Sequence, residues 1–223
     1  MASPIYDYLC NMKRALLISI LCCCASLFVK AQTIDSIFVA VPNAYLPLLE
    51  YNSRLDLLDL YNCGMTAKVY NDLGGEACLT AKDSVHFEVQ TTASSRFELQ
   101  VLKWFPDTIY ACIRTVSMPE QQSQLVFLNQ QWYPLKVKLP QSVSFDHCWC
   151  PSGSLSEDRI EELRLALTPA YFHLHWENPS PDTPELVYEV ALEGLMPKDR
   201  EDASKCLRTL RFVWHEGKFI EKQ

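Results

Sequence analysis

The amino-acid sequence predicts an α+β protein. Short N-terminal helices precede an antiparallel β meander, and a second copy of a strand–Met-Pro–strand unit follows an intervening helix. Three observations carry this reading. Apolar residues recur at helical spacing as far as Gly64, and from Thr66 the period drops to two. The alternating run has no helical crossovers, so its strands must pair antiparallel. Finally, "SMPEQQSQLVFLNQQWYPL" (117–135) and "LMPKDREDASKCLRTLRFVWHEGKFI" (195–220) share one layout. Each has Met-Pro, a polar run, an aromatic-rich strand and a tight turn.

Residues 32–65 read as helical. "VPNAYLPLLEYN" offers Pro42 and Asn43 as start signals, although Pro47 must sit in a first turn or break the helix. In "NSRLDLLDLYNCGM", Ser53 reads as an N-cap with Asp56 three residues on, and Gly64 as the stop. The glycines of "LGG" suit the turn between "TAKVYND" and "EACLTA". Val85, Phe87 and Val89 alternate with polar residues, as do Phe97, Leu99 and Val101. "FPD" (105–107) is turn chemistry, and "TIYACIRTV" is apolar on both faces, so it predicts a central strand.

Residues 138–154, rich in Pro, Ser and Gly, read as a linker. It joins 32–140, with the helices and first meander, to 154–223, with a helix and second meander, inside one α+β domain spanning 32–223. "SEDRIEELRLAL" is the clearest helix: Ser156 caps it, acids fill its first turn, and Ile160, Leu163 and Leu167 form a stripe. "YFHLHWE" and "ELVYEVAL" return to strand period. Anchored on Met118-Pro119 and Met196-Pro197, the two copies align Tyr110 with Tyr188, Leu125 with Leu210 and Phe127 with Phe212.

The first 31 residues predict a signal peptide. Lys13 and Arg14 precede an apolar run (15–29) shorter than the about 20 residues a membrane helix needs. Val29 and Ala31 stand where small residues precede a cut, so the mature chain is expected to begin at Gln32. That places it in the periplasm or outside the cell. Lipidation at Cys24 is less favoured, because Cys22 and Cys23 occupy positions that prefer small residues. Cleavage leaves 17 basic against 26 acidic residues, a net charge of −9. Such a chain is repelled by nucleic acid and by anionic lipid. No membrane span is expected in the mature chain. Its six cysteines, Cys63, Cys78, Cys112, Cys148, Cys150 and Cys206, permit disulfides in an oxidising compartment, with connectivity open.

Residues 38–80, with "R-x-D-L-x-D-x-Y", "G-M-x-A-K-V" and "N-x-L-G-G-E", resemble a family of secreted Bacteroidales proteins known only as a domain of unknown function, DUF3256. The resemblance runs through the meander to Trp132 and on over the mature chain. It implies export and an integral α+β domain, and it brings no catalytic residues. Cys148 and Cys150 stand outside the family pattern.

Three constellations have chemical potential. Cys148 and Cys150 in "DHCWCPSG" are one residue apart, too tight for a zinc knuckle or a thiol oxidoreductase motif. His173 and His175 in "HLH" point the same way on a strand and could share a metal, with His147, Glu177 or His215 as the third ligand. Asp158, Glu161 and Glu162 open a helix, where acids complement the dipole. Trp132, Tyr133, Trp149, Trp176 and Trp214 are either core fillers or a binding surface. Nucleophile elbows, phosphate loops and dinucleotide fingerprints do not occur. The sequence therefore assigns no catalytic residue, no metal ligand and no cofactor. The leading expectation is an exported non-enzymatic binding or envelope-assembly module, with a protein or small-molecule partner in the cell envelope. The alternatives are a metal-dependent enzyme using His173 and His175, and a cone-shaped small-ligand-binding domain.

Overall fold

Where the period changes at Thr66, helix gives way to sheet. The computed structural model describes residues 32–117, 119–139, 143–151, 153, 155–177, 180 and 183–222. The expected signal peptide (1–31), Met118, and residues 140–142, 152 and 154 of the expected linker lie outside them. Helices α1 (Ile34–Ala40) and α2 (Tyr51–Asn62) lead into seven strands. These are β1 (Lys68–Tyr70), β2 (Glu76–Lys82), β3 (His86–Thr92), β4 (Ser95–Trp104), β5 (Asp107–Ser117), β6 (Gln121–Leu128) and β7 (Pro134–Leu135). They pair antiparallel in chain order, β1 to β7. Then come α3 (Phe145–Cys148), α4 (Glu157–Ala166), β8 (Phe172–Glu177), β9 (Glu185–Val190), α5 (Pro197–Ser204), β10 (Leu210–His215) and β11 (Lys218–Glu221). The last four strands make a second antiparallel sheet, β8 to β11. No helix among the described residues is long and apolar enough to cross a membrane.

Alternation along β4 to β6 splits the first sheet's contacts between two cores. Phe97, Leu99, Tyr110, Cys112 and Leu128 face α1 and α2, where Phe38, Leu46, Leu49 and Leu57 are buried. Leu102, Ile109, Ala111, Ile113 and Phe127 face the second sheet, with Leu174, Trp176, Leu186, Phe212, Trp214 and Phe219. Helices α3, α4 and α5 add Cys148, Leu163 and Ala203 to that second core. β5 is buried on both faces, as its unbroken apolar run requires. Aromatic rings fill the space between the sheets: Trp214 lies 4.9 Å from Phe219, and Phe219 5.9 Å from Phe127.

Three local expectations are corrected. Residues 42–48 form turns rather than a helix, because Pro47 cannot continue one. Ser53 lies inside α2, whose N-cap is Glu50 with no side-chain cap bond. The neighbouring Arg54 serves carbonyls upstream of the helix instead. Buried at 2% exposure, its guanidinium donates to the carbonyls of Leu49 (2.8 Å), Val39, Val41 and Leu46 and to Asn43 Oδ1. Carbonyls orphaned where α1 ends and the turns begin are thus satisfied by one side chain. The expected linker is also partly docked: Trp149 bridges Leu207, Cys150 N donates to Cys206 O and Arg208 N to Cys148 O.

The second meander reproduces the strand order of β4 to β7, but not the residue register of the aligned copies. The β5–β6 pair sets Tyr110 opposite Leu128, whereas β9–β10 sets Tyr188 opposite Leu210. The expected match of Leu125 with Leu210 is therefore off by three residues, an odd number that reverses the side-chain face. Tyr110 and Phe127 lie on opposite faces of their sheet, whereas Tyr188 and Phe212 share one. The corners differ as well: Met196 opens α5, with Pro197 at its first position. The two corners nevertheless meet, since a Cβ on Gly194 would run into the Glu120 carboxylate.

The second sheet is seated on the first through an edge. β8 lies across β4, β5 and β6, and the N–H groups it turns away from β9 meet side chains instead of another strand. Leu174 N donates to Ser123 Oγ at 2.9 Å and Trp176 N to Glu98 Oε2 at 3.1 Å.

Phe127 and Phe212 are both buried, so truncating either to Ala should cost about 3–5 kcal/mol in denaturant unfolding. Ser123→Ala should cost about 1–3 kcal/mol by leaving the Leu174 N–H unpaired, while Ala at exposed Gln122 stays within about 0.5 kcal/mol of wild type.

Candidate functional site

The alternation of β8 sends Leu174 and Trp176 into the core and His173 and His175 to the opposite face. Their rings stack with centroids 5.2 Å apart. Antiparallel pairing places Glu189 directly across from His173, and Val187 across from His175. One ligand atom each from His173, His175 and Glu189 lies within 4.8 Å of the others. Of the expected third ligands, none joins this group. His147 sits on α3 beside Glu221 at 3.4 Å, His215 is exposed at the end of β10, and Glu177 binds Arg211. Glu189 is the residue sequence reasoning missed. Its signal was the lone acid inside "LVYEVAL", but only the hairpin register brings it to His173.

Arg96 reaches the pair from β4. Its Nη2 lies 2.6 Å from His173 Nε2. A guanidinium only donates, so His173 Nε2 accepts and the ring hydrogen sits on Nδ1, 4.0 Å from Glu189 Oε2. Burial, then Arg96, then His175 lower the His173 pKa, which keeps the imidazole neutral. Arg96 also pairs with Glu98 at 3.1 Å and lies 3.8 Å from Glu88. Glu98, 1% exposed, turns Oε1 to Arg96, while its Oε2 accepts from the Trp176 N–H and has His86 Nε2 at 3.9 Å. The His175 Nδ1 atom is buried without a hydrogen-bond partner among the described residues.

From His175 a charged ladder crosses the second sheet. His175 Nε2 lies 3.7 Å from Glu177, Glu177 binds Arg211, Arg211 reaches Glu185 at 3.1 Å, and Lys222 closes the row at 2.8 Å from Glu185. The hydrogen bond from Lys222, helped by Arg211, holds the Glu185 carboxyl below the usual carboxylate range.

The remaining sequence candidates lie apart from this cluster. All six thiols are free, and burial pushes Cys148 up to about 11. Glu162 pairs with Arg159, which ties α4 to α5 through Asp199 at 2.5 Å and Asp202 at 3.1 Å. Asp158 and Glu161 stand on α4 outside this tie. Trp176 and Trp214 are core, Trp132 packs on Tyr110 at 4.8 Å, and Trp149 packs on Phe145 at 5.4 Å. Tyr133 is exposed. Sequence reasoning passed over Phe105, which is 95% exposed at the β4–β5 turn. The β6–β7 turn lies beside it, joined by Gln130 Nε2 donating to Thr108 Oγ1 at 2.9 Å. Trp104, Phe105, Pro106, Asn129, Gln130 and Leu135 line an open depression of about 340 Å³ between the turns.

A family model described as "Protein of unknown function (DUF3256)" matches residues 26–219. Among solved structures, a domain of an uncharacterized protein from Porphyromonas gingivalis W83 has the same fold. Its TM-score is 0.67 at 21% identity, covering 85% of this chain and 98% of that one. Among curated proteins, none matches.

Glu185 supplies a pH test. Its folded pKa lies below the unfolded value of about 4.3, so its stabilisation is present above that value and is lost as pH falls through the folded one. Urea midpoints of wild type and Glu185→Gln should differ most near neutrality and converge in acid.

Proposed function

The chain belongs to the DUF3256 family, proteins of unknown function, and from that premise we propose an exported, non-enzymatic binding or assembly module. It meets a cell-envelope partner through the tips of the β4–β5 and β6–β7 turns. The basic pair, the short apolar run and the small residues before Gln32 support export. The observation that carries the binding surface is Phe105, a large apolar side chain left 95% exposed at a turn. It lines the 340 Å³ depression with its amide side chains, and Tyr133, 69% exposed, belongs to the neighbouring β6–β7 turn. Turns presented by a rigid sheet are where binding residues concentrate. Burying Phe105 against a partner would contribute about 1.5–3 kcal/mol without drawing on the fold.

A photo-reactive side chain at position 105 should give a discrete cross-linked species in the cell-envelope fraction of cells that carry the protein. The same group at Leu165, also 69% exposed but on α4, should not. Phe105→Ala with Tyr133→Ala should abolish partner retention and leave the unfolding midpoint unchanged. Turnover in a hydrolase screen that disappears with one polar substitution would replace this reading with an enzymatic one.

A further inference from the structure

We propose that His173, His175 and Glu189 form a binding site for a divalent transition metal of the zinc type, filled in competition with Arg96. The site is independent of the loop-tip surface. Two imidazoles and one carboxylate are a ligand set that such ions accept, with water completing four-coordination. The set is poor for calcium or magnesium, which want several oxygens. Ligands about 2.0–2.2 Å from a tetrahedral ion stand about 3.3–3.5 Å apart. The three side chains offer atoms within 4.8 Å of one another, and Glu189 Oε2 is already 4.0 Å from His173 Nδ1. Small side-chain rotations close that gap. The backbone is held by the β8–β9 ladder, with His173 and Glu189 as direct cross-strand partners.

Arg96 gives the site its particular character. In the metal-free protein it occupies the His173 lone pair at Nε2, which leaves the hydrogen on Nδ1. An ion bound at Nε2 takes that lone pair directly. An ion bound at Nδ1 requires the hydrogen to move to Nε2, where it would face the guanidinium. Either way Arg96 must release His173, and its alternative acceptors stand ready: Glu98 at 3.1 Å and Glu88 at 3.8 Å. Metal binding therefore shifts Arg96 toward the two acids of the first sheet. The same positive charge weakens the site by repulsion.

The test is titration of the chelator-treated protein with Co²⁺, followed by visible absorption, and with Zn²⁺ by calorimetry. Wild type should bind one ion and show the intense bands of low-symmetry cobalt. His173→Ala, His175→Ala and Glu189→Gln should each weaken binding at least about tenfold. Glu189 is partly exposed on a strand, so its Gln variant keeps the fold even if a histidine variant does not. Arg96→Gln should bind on the order of tenfold more tightly. Failure of wild type to bind, or binding that survives Glu189→Gln unchanged, would overturn the site. Weaker binding in Arg96→Gln would overturn the competition, because it would make Arg96 a support for the metal rather than its rival.

Discussion

Two backbone N–H groups on one edge of β8 decide how the molecule is assembled. A strand edge exposes a row of donors and acceptors that either recruits another strand or must be satisfied in some other way. Here Ser123 Oγ and Glu98 Oε2 supply acceptors for Leu174 and Trp176, so the edge of one sheet is met by side chains from the face of the other. With those bonds made, Trp176 and Leu174 drop into the core beside Phe127 and Ile113. The cost is a carboxylate at 1% exposure, which a low dielectric would expel were it not hydrogen-bonded and paired with Arg96. Arg96 is thereby fixed at the place where His173 emerges from β8. The histidine site is thus a by-product of how the two sheets join.

The same joint explains what could be read from sequence. Elements with a local cause were legible: Ser156 accepts from Arg159 N to cap α4, and Leu163 and Leu167 of its apolar stripe are buried. β5 was legible because a strand covered on both faces needs apolar residues at every position. Ser53 misled because the helix starts two residues before it, at Tyr51, in a segment tied down by Arg54, whose acceptors lie 5 to 15 residues away in the chain. The repeat misled in detail because strand order follows from alternation, while register follows from turn lengths. An odd three-residue offset is invisible in a pattern of period two until a partner strand is in place.

The functional residues divide along the same line. His173 and His175 were legible because their spacing alone puts them on one face. Glu189 and Arg96 were not, because one arrives by hairpin register and the other from a strand 77 residues earlier. Phe105 was read as turn chemistry, which is correct for the backbone and silent about the side chain. What a turn residue presents outward depends on which neighbouring turn stands beside it, and that is a property of the whole sheet.

The two surfaces are also separable in a way the sheet itself guarantees. Arg96 lies near the start of β4 and Trp104 at its end, eight residues apart on one continuous strand. At about 3.3 Å per residue that is about 26 Å, well beyond the range over which substitutions usually couple. Variants at the loop tips should therefore leave metal affinity alone, and variants of the histidine site should leave the tips alone. Any coupling between them would have to travel along β4 itself, through Glu98 and the seat of β8. A shift of Arg96 toward Glu98 on metal binding loads that same carboxylate, which also holds the Trp176 N–H. One route by which an ion could be felt elsewhere in the molecule thus runs through the bond that joins the two sheets, and another leaves His175 along the Glu177–Arg211 ladder.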